Sequence, residues 1–275
     1  MSEFFPKGQE RKKTVEQVAQ EAAHFKDIAE IEILDFEHYT WADSSLDGSD
    51  KGSFVNSFRD LLPGEEISLR NYIETALKER KGSAIGVEFG GIGARLFSGF
   101  TPDFFAKSIA VSLLDHRGWA HQLDRIKERD KKLHHEVLEG NIFESNTYKS
   151  LNQWLNGEKV DLIIERMGKG LEFVPGEPYE VSKILRIWYN LLREGGIMFA
   201  QTPVVFNNLL EAWAVKIDRE FKGKIEIEFQ TGYEDDGVAC SAFRLRKLSG
   251  APNELPLLDP KTVGKIPKAD FKKYN

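Results

Sequence analysis

After residue 82, short apolar runs alternate with stretches of helical periodicity. The apolar runs are 84–88, 108–115, 135–138, 160–164 and 196–200. Between successive runs the chain has room for one helix and its loops. Continuous apolar runs joined in this way are typical of buried parallel strands with crossover helices. The pattern therefore predicts a doubly wound sheet, with ligands bound at the carboxyl ends of its strands.

The pattern changes beyond the fifth run. The helix before that run has Pro178 near its start and Gly195 just past its end. One more helical stretch follows the run, and then two strand-like segments, 224–230 and 238–248. The residues between these segments are too few for a helical crossover and suit an antiparallel hairpin. We therefore predict an α/β fold with a doubly wound, mostly parallel seven-stranded sheet, closed by an antiparallel C-terminal hairpin.

The N-terminal part of the chain has mainly helical character. A capping-box sequence begins at Thr14, and a second amphipathic stretch over 69–77 ends at Gly82. Tyr39 and Trp41 precede a loop rich in Ser, Asp and Gly. Packing in an N-terminal core is favoured for these two aromatic residues over a lid above a substrate. The predicted organisation is an N-terminal helical extension, a sheet domain and a Pro- and Lys-rich tail, at 1–82, 83–249 and 250–275.

The composition restricts the chemistry. The 275 residues include 38 Lys and Arg, 44 Asp and Glu and one Cys, with a formal net charge of −6. A single Cys excludes an internal disulfide framework and a multi-Cys zinc site, and the His residues show no HExxH pairing, so no metal is expected. The acidic balance and the lack of a nucleic-acid motif argue against a nucleic-acid surface. Because no signal peptide or apolar span is visible, we expect a cytoplasmic protein that does not enter the membrane.

A glycine-rich turn follows the first apolar run. Glu88 ends the run, and Gly90, Gly91 and Gly93 come next. Glycines let the backbone turn tightly and approach a ligand closely. A carboxylate at this place would repel a pyrophosphate, but it suits a ligand that carries an ammonium or sulfonium group. The turn therefore favours a cationic ligand over a dinucleotide.

With these features the sequence resembles the class I S-adenosylmethionine (SAM)-dependent methyltransferases. That family has an acid before a Gly-rich turn, a second acid after the next strand, a polar residue after the third strand, and a Gly-Gly or Pro-Gly pair before the fifth. In these places the chain has Glu88, Asp115, Asn141 and the pair Gly195-Gly196. The resemblance covers residues 70–248 and implies a Rossmann-like domain that binds SAM.

The resemblance also implies roles for single residues. The implied cofactor contacts are Glu88 at the amino-acid end of SAM, the backbone of Gly90, Gly91 and Gly93 beneath it, Asp115 on the ribose hydroxyls, His116 beside the ribose or adenine, and Asn141 with Ile142 at the adenine edge. Glu165 and Arg166, after the fourth strand, would face the transferred methyl group and the acceptor. Each assignment has a structural alternative, since Asp115 suits a strand-end turn and Glu165 with Arg166 suits an ion pair.

The glycine spacing departs from the family pattern and keeps other functions open. The glycines follow Glu88 unevenly, and sequences typical of DNA amino-methylation, cytosine methylation or a metal-dependent catechol site are missing. We expect a SAM-dependent methyltransferase whose acceptor is in the first place a small molecule and in the second place a protein. One alternative is an NAD(P)-linked oxidoreductase, although Leu96 stands where close helix packing needs Gly or Ala. The other is a methyltransferase-like binding protein without activity.

Overall fold

Seven strands form a single mixed sheet in the computed structural model, which describes residues 58, 61–63, 68–90, 95–112, 123–165, 178–202, 206–235 and 238–264. The strands are β1 (Ala84–Phe89), β2 (Phe105–Ser112), β3 (His135–Glu139), β4 (Val160–Glu165), β5 (Leu192–Thr202), β6 (Ile225–Asp235) and β7 (Val238–Lys247). Their order across the sheet is β3-β2-β1-β4-β5-β7-β6. Strands β1 to β5 pair in parallel, and β7 is antiparallel to both β5 and β6. The predicted α/β fold, a mostly parallel seven-stranded sheet closed by an antiparallel C-terminal hairpin, is confirmed.

Helices connect the strands and cover both faces of the sheet. They are α1 (Leu69–Ala76), α2 (Arg95–Ser98), α3 (Leu123–Lys132), α4 (Ser145–Leu155), α5 (Pro178–Leu191), α6 (Asn207–Glu220) and α7 (Pro260–Val263), with a 3₁₀ turn at Lys78–Arg80. The helix that begins at Pro178 and the helix predicted over 69–77 are both present. The helix predicted at Thr14, and Tyr39 and Trp41, lie outside the described residues.

One face of the sheet, here called the α5 face, packs against α4, α5 and α6. The β1 side chains Val87 and Phe89 lie on this face, and so do Leu151 of α4 and Trp213 of α6. Phe89 stacks on the Trp188 ring of α5 with 4.3 Å between the ring centroids. Alternate strand residues share a face, so the next side chain along β1, Glu88, is turned the other way.

The opposite face, here called the α1 face, packs against α1, α2 and the segment before α1. Phe58 and Leu61 are buried there together with sheet residues such as Phe199. The β7 arginines add polar ties: Arg244 Nε donates to Leu61 O at 2.8 Å, and Arg246 donates to Ala76 O at the end of α1. The described part of the predicted N-terminal extension therefore shares a core with the sheet.

The segment after β7 lies against the α5 face. Leu255 and Leu258 are 1% and 0% exposed and belong to the core of that face. Hydrogen bonds fix the backbone of the segment: Tyr189 Oη to Pro252 O, Arg186 Nε to Leu255 O, Trp213 Nε1 to Pro256 O, and Leu258 N to Ser182 Oγ. Residues 252–258, within the predicted tail, thus belong to the packed structure.

The C-terminal hairpin differs from the prediction in its length. Strand β6 continues past the predicted end at Gln230 to Asp235, and its register with β7 shifts between Gln230 and Tyr233. Such a shift interrupts the alternation of apolar and polar side chains by which a strand is recognised. In the sequence, Asp236-Gly237 is the signal of a two-residue hairpin turn and favours the longer strand.

Candidate ligand site at the carboxyl edge of the sheet

The order of the strands locates a crevice between β1 and β4. From β1 the chain continues to β2 and β3 on one side, whereas β4 and β5 lie on the other side. In open α/β sheets, ligands bind outside the carboxyl ends of the strands where the order reverses. Phe89 and Glu165 are paired in register at this point, so Glu88, Gly90 and Glu165 border the crevice.

Glu88 is a buried acid at the tip of β1. It is 0% exposed and lies in register with Ala110 of β2 and Ile164 of β4. It points to the α1 face because its neighbours along the strand belong to the α5 face. A buried carboxylate interacts more strongly with a nearby positive charge than an exposed one does, because water screens the interaction less. A cationic ligand group that reached the tip of β1 would therefore be stabilised by Glu88.

The chain turns sharply directly after β1. Gly90 has a φ of +81°, a backbone conformation that side chains with a Cβ rarely adopt. Its N–H donates to Val111 O of β2 at 2.8 Å, so this donor is already used within the protein. Gly91 and Gly93 lie outside the described residues. The turn leads to α2, of which the structure describes Arg95–Ser98.

Gly86 of β1 determines where α2 can lie. A Cβ at Gly86 would be 2.1 Å from Cε1 of Phe97. The Phe97 ring therefore fits against the strand only because residue 86 has no side chain. It also packs against Phe105 with ring centroids 5.1 Å apart. This packing fixes the helix that follows the glycine-rich turn.

Gly86→Ala should lower the free energy of unfolding by about 1–3 kcal/mol, because the added methyl group overpacks the contact with Phe97. In the Phe97→Leu background the same substitution should cost less, since the smaller side chain leaves room. Urea denaturation of both single variants and the double variant measures this coupling. Gly86→Ala in the Phe104→Leu background is the control. There its cost should be unchanged, because Phe104 is not among the nearest neighbours of the Gly86 position. Additive effects of Gly86→Ala and Phe97→Leu would contradict the packing role.

The residues after β3 form the third part of the edge. Gly140 N–H donates to Ser112 O at the tip of β2 at 2.8 Å, which continues the strand pairing. Asn141 is half-buried, and its Oδ1 accepts a hydrogen bond from Phe143 N at 3.0 Å. Ile142 is 7% exposed. Two strand spacings separate β3 from β1, about 10 Å, so a ligand that reached both tips would lie across β2.

Glu165 ends β4 on the other side of the crevice. It is 0% exposed, and its Oε2 accepts a hydrogen bond from Gln201 N of β5 at 2.8 Å. Because Glu165 pairs in register with Phe89, its side chain points to the α5 face, opposite to Glu88. The structure therefore brings the two acids to the same crevice but to different faces of the sheet.

At the carboxyl edge of the sheet, the described tips of β1 to β5 carry acidic or neutral side chains. Besides Glu88 and Glu165 they include Ser112, Asn141 and Thr202. The candidate residues Asp115, His116 and Arg166 lie outside the described residues, as do the second and third glycines of the turn. An edge of this kind favours a cationic or neutral ligand over a phosphate group.

Within the described ranges, no group of three or more His, Cys, Asp or Glu side chains is arranged to hold a metal ion. In the same part of the chain, no helix combines the length and the apolar character that crossing a membrane requires.

Comparisons with known proteins give likenesses of structure. No protein-family model matches the sequence, and no curated protein is significantly similar to it. The N-methyltransferase NodS from Bradyrhizobium japonicum matches with 14% identity, 66% of this chain, 96% of that chain and a TM-score of 0.38. An O-methyltransferase from Bacillus cereus in complex with SAH matches with 16% identity, 74% and 91% coverage and a TM-score of 0.40.

An rRNA methylase from Streptococcus thermophilus is also similar, with 13% identity, 66% of this chain, 99% of that chain and a TM-score of 0.39. The order of the parallel strands, β3-β2-β1-β4-β5, is Rossmann-like. The matches leave the function to be inferred from the residues of the chain itself.

Proposed function

We propose that this chain is a SAM-dependent methyltransferase whose cofactor lies across the carboxyl ends of β1, β2 and β3. The observation that carries the proposal is the buried acid Glu88 at the point where the strand order reverses, beside a turn at Gly90. SAM carries an ammonium and a sulfonium group, and a buried carboxylate stabilises positive charge.

The acid at the tip of β1 argues against a dinucleotide at the same place. Dinucleotide-binding folds seat the pyrophosphate beside the glycine turn that follows the first strand. The buried carboxylate of Glu88 stands next to that turn and would repel the phosphates. This charge disfavours the alternative of an NAD(P)-linked oxidoreductase.

The residues along the edge suit the parts of SAM. Glu88 would hold the amino-acid end, Asp115 the ribose hydroxyls, and Asn141 with Ile142 the adenine, while the backbone at Gly90 would pass beneath the ligand. His116, Gly91 and Gly93 belong to the same proposed contact set. When bound, SAM supplies an electrophilic methyl group. The task of the protein is to align an acceptor with that group and to exclude water.

Glu165 and Arg166 are the proposed contacts on the acceptor side. The hydrogen bond from Gln201 N fixes one carboxylate oxygen of Glu165 at the tip of β4, beside the crevice. A fixed carboxylate there can orient a polar acceptor or receive its proton. We propose a small-molecule acceptor, with a protein acceptor as the second candidate. We also propose that the enzyme acts in the cytoplasm.

Isothermal titration with S-adenosylhomocysteine (SAH) and with NADH tests the cofactor. We expect binding of SAH and none of NADH. Glu88→Gln keeps the shape of the side chain but removes its charge, and should weaken SAH binding by about 1.5–3 kcal/mol, roughly 10- to 150-fold. Glu136→Gln, an exposed acid on the edge strand β3, is the matched control and should leave affinity unchanged. Binding of NADH without SAH would select the oxidoreductase.

Methyl transfer is tested with SAM labelled in its methyl group. The wild-type protein and Glu88→Gln are incubated separately with the small-molecule fraction and the protein fraction of a cell extract. We expect label in the small-molecule fraction with the wild type only. Label in the protein fraction would identify the second candidate acceptor, and SAH binding without transfer in either fraction would favour the inactive binding protein.

A further inference from the structure

The loop after β3 is held from beneath by the first turn of α4. Thr147 Oγ1 donates to Asn141 O at 2.7 Å, and Tyr148 Oη donates to Ile142 O at 2.8 Å. Both side chains are buried, with Thr147 4% and Tyr148 8% exposed. Two consecutive carbonyl groups of the loop are thus bound by two consecutive residues of one helix.

Thr147 also packs against the backbone before the loop. A Cβ on Gly140 would lie 2.6 Å from Thr147 Oγ1 and 2.7 Å from its Cγ2, so only glycine fits beneath this side chain. Burial raises the pKa of Tyr148 far above its ordinary value, so the phenol keeps its proton and acts as a donor at any physiological pH. The hydrogen bond from Tyr148 is therefore independent of pH over the physiological range.

Because the peptide group is planar, the contacts with the Asn141 carbonyl also determine where the Ile142 N–H points. The carbonyl of Asn141 and the N–H of Ile142 belong to one trans peptide group and point in opposite directions. Thr147 Oγ1 and Glu144 N both bind Asn141 O from the helix side. The Ile142 N–H is consequently turned away from α4, and it makes no hydrogen bond within the described residues.

The side chain of Asn141 is oriented in the same way. Its Oδ1 must face the Phe143 N–H, which fixes the orientation of the amide. An amide oxygen has two lone pairs, so Oδ1 retains one acceptor position. The loop thus presents one backbone donor beside one amide acceptor. That pair matches the N1 acceptor and the N6 amino donor of adenine, and it mismatches hypoxanthine at both atoms.

We propose that Thr147 and Tyr148 are positioning residues that set the base specificity of the cofactor site by fixing the carbonyl groups of Asn141 and Ile142. This inference rests on the proposed function. The two residues need not touch the cofactor themselves. They act through the direction that they give to the Ile142 N–H and to the Asn141 amide.

The test compares SAH with S-inosylhomocysteine, its hypoxanthine analogue, by titration calorimetry. Tyr148→Phe should weaken SAH binding by about five- to tenfold and lower the preference for SAH over the analogue by a similar factor. Thr147→Val, which keeps the contact with Gly140, should act in the same direction. Tyr189→Phe is the matched control, since Tyr189 is likewise buried and donates to a carbonyl, that of Pro252, at 2.7 Å. It should leave both affinities within twofold.

The outcomes separate this inference from the proposed function. If the wild type binds SAH and Tyr148→Phe leaves both the affinity and the preference unchanged, the positioning role is overturned while the proposed function stands. Equal losses in Tyr148→Phe and Tyr189→Phe, with the preference for SAH intact, would reduce Tyr148 to general structural support and also overturn the inference. A wild type that binds neither ligand overturns the proposed function, and the inference with it.

Discussion

Asp161→Ala should lower the free energy of unfolding by about 1.5–3 kcal/mol, because it leaves the buried Ile85 N–H without its carboxylate acceptor. Asp161 is fully buried near the start of β4. Its Oδ1 lies 3.0 Å from Arg80 Nε and 3.3 Å from Arg193, and its Oδ2 accepts a hydrogen bond from Ile85 N at 2.9 Å. One carboxylate thus joins the starts of β1, β4 and β5. The loss would be a large part of the total stability of an ordinary domain.

Chemical denaturation of the wild type, Asp161→Ala and a matched control measures the effect of Asp161. The control is Glu158→Ala. The Glu158 carboxylate lies 2.5 Å from Lys107 Nζ, but its side chain is 56% exposed. An exposed ion pair contributes at most about 1 kcal/mol, so the control should change little. Asp161→Asn should fall between the two, since its amide oxygen can still accept from Ile85 N. A cost for Asp161→Ala no larger than that of Glu158→Ala would contradict the role of burial.

The sequence predicts the parts of the fold that depend on periodic burial. Each of the five apolar runs overlaps a strand of the sheet, although β2 begins and ends before the predicted run 108–115, because both faces of a parallel sheet are covered. Asp161 stands inside such a run, where periodicity suggests only a strand residue. The register of β4 with β5 shifts between Val160 and Leu162, and this local irregularity at Asp161 cannot be inferred from the alternation of residues.

The candidate site shows the same division between pattern and packing. The order of acids and apolar runs in the sequence predicts that Glu88 lies at a strand tip. It also predicts the sheet in which the strand order reverses beside that tip. Gly86 lies within β1, before the glycine-rich turn, and a glycine is needed there because the Phe97 ring packs against the strand. The contacts of Thr147 and Tyr148 cannot be predicted from the sequence, because both residues stand on a helix, several residues beyond the loop that they hold. Contacts of side chains with backbone carbonyls leave no periodic signal in a sequence.

The segment after β7 is a case where composition and apolar pattern disagree. Its Pro and Lys content is typical of a tail, while Leu255 and Leu258 in the same segment are core residues. Prolines do not prevent an extended segment from packing when neighbouring helices satisfy its carbonyl groups, as Trp213 Nε1 does for Pro256 O at 2.9 Å. The apolar sequence Leu255-Pro256-Leu257-Leu258 is the signal that favours packing over a solvated tail.

Removal of residues 251–275 should destabilise the protein by at least about 4 kcal/mol, because the loss of each buried leucine costs about 2–5 kcal/mol. The donors of Tyr189 and Trp213 would also lose their carbonyl partners. Removal of 265–275 alone keeps every one of these contacts and is the matched control. Thermal and urea unfolding of both truncated chains measure the difference.

A chain that ends at residue 250 could fail to fold, so Leu258→Ala supplies an intermediate case. Leu258 is 0% exposed, and its N–H is bound by Ser182 Oγ, a contact that the substitution keeps. We expect a loss of about 2–5 kcal/mol from the cavity alone. Leu257→Ala, at a half-buried neighbouring position, should cost less. If Leu258→Ala and the 265–275 truncation had the same free energy of unfolding, the role of the segment would be contradicted. Residues 252–258 would then lie on the α5 face without being part of its core.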